Sequence, residues 1–365
     1  RIVGWRELSR RQAAGEAPGQ LGEDYLYMGL DTCATCGLCA TACPVGIETG
    51  ALTRAVRSEK LSGVARSLGQ VAANHFGATQ ALARTALKAG HLAESIVGTR
   101  ALARLSGGAW KEGMPKPQPL GRATRQQGDK VVYFPTCAGR MFSADSPEQA
   151  LSATVIRVLE RAGYAPIIPD EVNSLCCGQS FASKGLEADA DRKSAELEAA
   201  LMKASNNGEY PVILDASACS LRMKTFLAER LTVVDLIEFA HDALLPRLML
   251  HKKNEPVLVH LNCSARRMGA EAKLRKLAEA CAREVVLPAE VKCCGFGGDR
   301  GFVVPELNAH ALRKLHADVP AGCCGGYSSN QTCEIGLTHA TGLPYRSIVH
   351  LLDECSAEAA RLASC

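Results

Sequence analysis

Val131-Val132-Tyr133-Phe134-Pro135-Thr136-Cys137 runs from four strand-forming residues through a turn into a thiol, and Val257-Leu258-Val259-His260-Leu261, followed by Cys263, does the same. Each run leads to a Cys-Cys-Gly loop, Leu175-Cys176-Cys177-Gly178 and Lys292-Cys293-Cys294-Gly295, and then to a further lone thiol, Cys219 and Cys333. The intervals agree: 39 and 30 residues to the paired cysteines, then 42 and 39 to the last thiol. Between these marks lie helical patterns at Ala150–Arg161, about 183–204 and Arg267–Ala282, and short strand patterns at Ala165–Ile168, Val212–Asp215 and Glu284–Leu287. Alternation of strand and helix, said twice, predicts a duplicated α/β unit. Open parallel sheets collect ligands beyond the carboxyl ends of their strands. The pattern therefore gathers Cys137, Cys176, Cys177 and Cys219 in one place, and Cys263, Cys293, Cys294 and Cys333 in another.

Upstream stands Cys33-x-x-Cys36-x-x-Cys39-x-x-x-Cys43-Pro44. This is the bacterial ferredoxin run for a four-iron cubane, in which the fourth cysteine serves another cluster. Zinc sites favour two separated ligand pairs instead. Cys33, Cys36 and Cys39 are read as ligands of one cubane, with Cys43 reaching towards a second. The chain holds no second run of this kind, and it opens with Arg1, so the partner motif is expected upstream or a lone thiol closes the cluster. Residues 1–30 carry turn formers and little periodicity. Residues 51–105 have helical spacing, with Gly63, Gly77, Gly90 and Gly98 as expected breaks, and 107–121 read as a linker. Four domains follow: a ferredoxin-type 4Fe-4S segment (1–55), a basic helical region and linker (56–128), and two Cys-Cys-Gly domains (129–250 and 251–365).

The 365 residues are 47% apolar and 22% charged, with net charge +4, which excludes a disordered chain. No run of 18 apolar residues and no signal-peptide pattern occurs. Seventeen cysteines in tight clusters suit thiolate ligation in a reducing, cytoplasmic compartment better than disulfide scaffolding. Between 51 and 130, thirteen Lys and Arg stand against four Asp and Glu. That stretch is either a solvated helical face or a docking surface for an anionic membrane or acidic partner. No nucleic-acid partner is expected, and no nucleotide-binding glycine motif follows a strand.

Adjacent cysteines rarely pair with each other, because a vicinal disulfide strains the backbone. Three readings of the Cys-Cys-Gly loops stay open: iron–sulfur ligation, a fold that keeps thiols without metal, and thiol–disulfide chemistry. The glycines allow backbone N–H groups to approach anionic sulfur. Cys281 reads as a small core residue, Cys323 and Cys324 as candidate contributors to the second site, and Cys355 and Cys365 as unassigned. His260, His339 and His350 read as structural, and no catalytic set of residues emerges.

The run from Asp31 to Ile47 resembles the second ferredoxin motif of bacterial FAD- and iron–sulfur-dependent D-lactate dehydrogenases. So do Phe134-Pro135-Thr136-Cys137, Leu175-Cys176-Cys177-Gly178-Gln179, the stretch from Cys293 to Phe302, Ser328 to Ile335, and Tyr345 to Leu352. The resemblance implies the electron-transfer portion of a D-2-hydroxyacid dehydrogenase. Its FAD domain, of the vanillyl-alcohol-oxidase type, would lie in a preceding portion or a partner subunit, leaving this stretch without the substrate site. It further implies electron flow from flavin through 4Fe-4S clusters to a quinone or cytochrome, with peripheral contact at the inner membrane. The Cys-Cys-Gly repeats are also similar to those in the iron–sulfur subunits of glycolate oxidase and of anaerobic glycerol-3-phosphate dehydrogenase, and to those of heterodisulfide reductase. In the last, a CxxC pair closes each repeat, whereas here Ala216 and Asn330 precede Cys219 and Cys333 by three residues.

Overall fold

The computed structural model describes residues 1–108, 110, 114, 116–142 and 146–357. Two four-stranded sheets organise the larger part. The first holds β1 (Asp129–Phe134), β2 (Tyr164–Ile167), β3 (Val212–Leu214) and β4 (Val233–Asp235) in the order β2-β1-β3-β4. The second holds β5 (Val257–Val259), β6 (Val285–Val286), β7 (Gly326–Ser328) and β8 (Tyr345–Ser347) in the order β6-β5-β7-β8. Every pairing is parallel. The mixed α/β fold and its duplication are as the sequence predicts. Such strands are covered on both faces, hence their unbroken apolar runs: Val131 to Phe134 and Val212 to Leu214 are fully buried.

Helices cover both faces. Leu151–Arg161 turns Leu151, Val155, Ile156, Val158 and Leu159 inward, and each buried side chain of this size contributes roughly 1.5–3 kcal/mol. Helix Ile348–Ser356 of the second unit lies along it, pinned where Asp353 meets Arg157 at 2.5 Å and Arg161 at 3.1 Å. Val131 and Ile213 of the first sheet share one apolar core with Val257, Val259 and Tyr327 of the second. The two units are fused through this core.

Several local expectations change. Residues 1–30 are helical, in Ile2–Ala13 and Gly19–Tyr25 continuing as a wider turn over Leu26–Asp31. Gly63 begins a helix and Gly98 ends one, but Gly77 and Gly90 lie inside Phe76–Val97. There a Cβ on Gly90 would meet the Trp110 ring at 2.3 Å, so this glycine makes room for an aromatic side chain and breaks nothing. The helix expected over 267–282 is Glu271–Cys281, and a separate short helix, Cys263–Arg267, precedes it. Strands β4 and β8 went unread because each is a short edge strand whose polar residues, Asp235 and Arg346, interrupt an apolar run.

Candidate metal centres

In each sheet the strand order reverses between the first and third strands of its unit, β1/β3 and β5/β7. Such a switch point opens a crevice at the carboxyl ends of the strands. Register sets what enters it: Phe134 pairs with Leu214, and Val259 with Tyr327. Cys137 follows β1 as the first residue of helix Cys137–Met141, and Cys219 lies in the first turn of helix Ser217–Leu227 beyond β3. The Cys-Cys-Gly loop closes over both. Cys137 hydrogen-bonds to Cys176, Cys176 to Cys177, and Cys177 to Cys219. All four predicted thiols of the first unit form one chain of contacts.

The second unit repeats this. Cys263 opens helix Cys263–Arg267 and hydrogen-bonds to Cys293; Cys293 bonds to Cys294, and the Cys294 thiol donates to Cys333 at 2.9 Å.

The glycine in each Cys-Cys-Gly loop answers two demands. Gly178 and Gly295 adopt φ of +82° and +69°, and a Cβ would lie 2.2 Å from the Ala190 carbonyl and 2.4 Å from that of Leu307. Their amides donate to Cys176 and Cys293, each at 3.3 Å, as expected of backbone reaching towards anionic sulfur. Ser194 and Asn308 hold the carbonyls of Cys177 and Cys294, fixing both loops from the helix behind.

In the first centre the thiols are held as neutral groups. The hydrogen bond with Cys176 and burial push Cys137 far above the usual thiol range. Cys137 bonding to Cys176 favours that thiolate, but the bond to Cys177 and burial prevail and carry Cys176 to about 12. Beside them sits Arg140, 2% exposed, whose Nη2 donates to the Leu175 carbonyl at 2.8 Å. Its Nε and Nη1 are buried without a hydrogen-bond partner. A buried guanidinium with two idle donors beside a thiol quartet fits an anionic, thiolate-bound group, whose charge would balance both. Arg266 stands at the matching position of the second unit with its Nε buried and unpartnered, but it is half-buried and its Nη1 donates to Glu271 at 3.0 Å. Sequence reasoning missed both. The signal was the repeated Cys137-x-x-Arg140 and Cys263-x-x-Arg266.

Backbone amides reach three thiols of the ferredoxin-type run. Cys33 is buried and accepts from the Thr35 amide at 3.4 Å. Cys39 accepts from the Thr49 amide and hydroxyl, both at 3.2 Å. Cys43 is drawn below the usual thiol range by the amides of Ile47 and Val45. Such N–H···S bonds favour thiolate and suit cluster ligands. Cys36 instead hydrogen-bonds to Cys263 and Cys293 of the second unit. Arg57, buried in helix Thr49–Lys60, binds this segment to the first unit, donating to the carbonyls of Leu30, Cys33 and Ser183 at 2.6, 2.8 and 2.6 Å.

One cavity of about 550 Å³ reaches both thiol quartets and Cys36, with Phe76, Met141, Phe142 and Phe302 among its walls. The remaining cysteines lie apart from it. Cys281 is buried and hydrogen-bonded to Cys355, Cys323 turns to the Gly325 carbonyl, and Cys324 approaches that of Gly322. Cys365 lies outside the described residues. His260 is buried with neither ring nitrogen partnered, His350 bonds to the Gln149 and Ser347 carbonyls, and His339 lies near the end of helix Gln331–Thr341.

Among the described residues no helix is long and apolar enough to cross a membrane. No curated protein matches the chain. The family model described as CCG, cysteine-rich domain, matches residues 131–224 and 257–318, so each sheet unit carries a cysteine-rich domain of this type.

Proposed function

We propose that the chain is the electron-transfer portion of an FAD- and iron–sulfur-dependent D-lactate, or related D-2-hydroxyacid, dehydrogenase. It would relay electrons from flavin, held in a further domain or a partner subunit, to a quinone or cytochrome. The observation that carries this reading is the pair of buried and half-buried thiol quartets at the two switch points, opening into one cavity. The cysteine-rich domain itself accords with iron–sulfur binding and electron transfer in oxidoreductases. Iron–sulfur clusters, when bound, would supply one-electron carriers that divide two-electron flavin chemistry. The chain's own part is to supply thiolates and, at the first centre, to balance their charge through Arg140.

Peripheral contact with the inner membrane, facing the cytoplasm, belongs to the same proposal. In helix Gly63–Asn74 the exposed Val64, Leu68 and Val71 fall on one side, and in helix Phe76–Val97 so do Leu82, Leu92 and Ile96. These helices lie in the basic stretch, and apolar and basic residues together suit an anionic lipid surface. Sedimentation with anionic against neutral lipid vesicles tests it: equal or no binding to both removes the membrane from the proposal.

A second reading is a disulfide reductase, favoured by the cavity lying open to both thiol centres. One preparation separates the two. Purified without oxygen, the chain should contain iron and inorganic sulfide and give a low-temperature EPR signal when reduced. That signal should stay unchanged on adding small disulfides; a disulfide-dependent signal favours the reductase. A colourless, iron-free preparation overturns both readings.

A further inference from the structure

We infer that Ser329 is a positioning residue shared by both thiol centres, joining the start of the helix that carries Cys219 to the starts of those that carry Cys263 and Cys333. The Asn262 side-chain amide donates to Ser329 Oγ at 2.6 Å, and Ser217 Oγ lies 2.9 Å from the same oxygen. The Ser217 backbone N–H donates to the Ser329 carbonyl at 3.1 Å. None of the three residues is more than 3% exposed, so water does not compete for these bonds.

Each member stands at the root of a thiol-bearing element. Ser217 opens helix Ser217–Leu227, in which Cys219 is the third residue. The first amides of a helix have no partner within it, and here one of them is satisfied from the other unit. Asn262 caps helix Cys263–Arg267, its Oδ1 accepting from the Ala265 amide at 2.9 Å while its Nδ2 turns to Ser329. Ser329 itself follows β7 and precedes helix Gln331–Thr341, whose third residue is Cys333. Ala216, Asn262 and Asn330, beside or within the junction, line the cavity common to both centres.

The duplication sets this arrangement apart. Four residues before the last thiol stands Asp215 in the first unit and Ser329 in the second. Asp215 binds Tyr133 and Thr136 of its own unit. An ionised carboxylate only accepts, whereas a hydroxyl has one proton to give and two lone pairs to receive. Ser329 can therefore serve an amide and a second hydroxyl together, and it does so across the boundary between the units. The two centres then keep a relation that neither unit sets alone.

That the thiols hold iron–sulfur groups rests on the reading above, but the junction is tested with or without them. Amide hydrogen exchange of the full chain is followed by mass spectrometry in Ser329→Ala and Ser217→Ala. Ser329→Ala should speed exchange about tenfold, the effect of losing one buried hydrogen bond, in both peptides 216–222 and 261–267. Ser217→Ala, made in the first unit, should speed it in 326–334 of the second, and this variant carries the test if Ser329→Ala does not fold. Ser220→Ala is the control, since its hydroxyl bonds to the Ala216 carbonyl within one unit, and it should leave the second unit unchanged. In chain labelled with iron-57 and purified without oxygen, Ser329→Ala should shift the Mössbauer components lost in Cys177→Ser and in Cys294→Ser alike. Changes confined to one unit, in exchange or in spectra, overturn the inference. An iron-free chain removes the functional reading alone, and the exchange rates then decide.

Discussion

The Tyr133 hydroxyl donates to Asp215 across 2.7 Å, and the Thr136 amide donates to the same carboxylate at 2.9 Å. Asp215 is fully buried just beyond β3, so this carboxylate ties the ends of β1 and β3 together between Cys137 and Cys219. Asp215→Ala leaves two buried donors unpaired. A loss of about 2–4 kcal/mol is expected, read as a fall in the urea midpoint, with weaker iron retention at the first centre. An unchanged midpoint would contradict the tie.

Gly178→Ala forces a Cβ to within 2.2 Å of the Ala190 carbonyl at φ +82°. The left-handed conformation alone costs about 1–2 kcal/mol for a residue with a side chain, and the collision adds to it. A melting temperature several degrees lower is expected. Gly163→Ala serves as the control, since its φ is +89° but nothing lies near its Cβ, and it should lose less.

Arg140→Met separates the roles of that guanidinium. With iron–sulfur bound, removing a buried positive charge should lower the reduction potential of the first centre by tens of millivolts, the scale of one charge in a medium of effective dielectric about 20. Without a bound group the same substitution removes two unpaired buried donors, so iron-free protein should lose little stability or gain some. Redox titration and urea unfolding measure the two halves independently. A potential that does not move would remove Arg140 from the charge balance.

Asp235 governs part of the pH dependence of stability. Its Oδ1 accepts from the Ile237 amide at 3.0 Å, its Oδ2 is buried without a partner, and burial pushes its carboxyl up to about 6. A folded-state value above the unfolded one means that the proton favours the fold. This contribution is complete below about pH 4 and is lost as pH rises through about 6. Asp235→Asn retains the cap without the charge, so it should equal the parent near pH 4 and exceed it at pH 8 by about 1–3 kcal/mol. Parallel stability curves for the two proteins would refute this.

Much of the fold was legible because its signals are local. Val131 to Phe134 and Val257 to Val259 announce buried strands by composition alone, and the lone thiols Cys137, Cys219, Cys263 and Cys333 sit three to five residues beyond a strand end. The reading failed where a neighbour decides. Gly90 looks like a helix break until Trp110 is seen packed against it. Residues 1–30 look like turns, yet they form helices whose Tyr25 and Leu30 pack with Val56 from a later helix. Strands β4 and β8 carry polar residues, Asp235 and Arg346, in place of an apolar run, and pairing with β3 and β7 makes them strands.

The sequence by itself determined the duplication, the parallel α/β class and the membership of two thiol quartets, because strand periodicity and the switch-point rule turn residue spacing into position. Tertiary structure alone decided that the two sheets share one core and that both quartets open into one cavity. It also showed Arg140 buried beside the first quartet with two donors idle. These outcomes depend on contacts between residues far apart in the chain, and such contacts are set by how closely two backbones can approach. Spacing along a chain carries no measure of that distance.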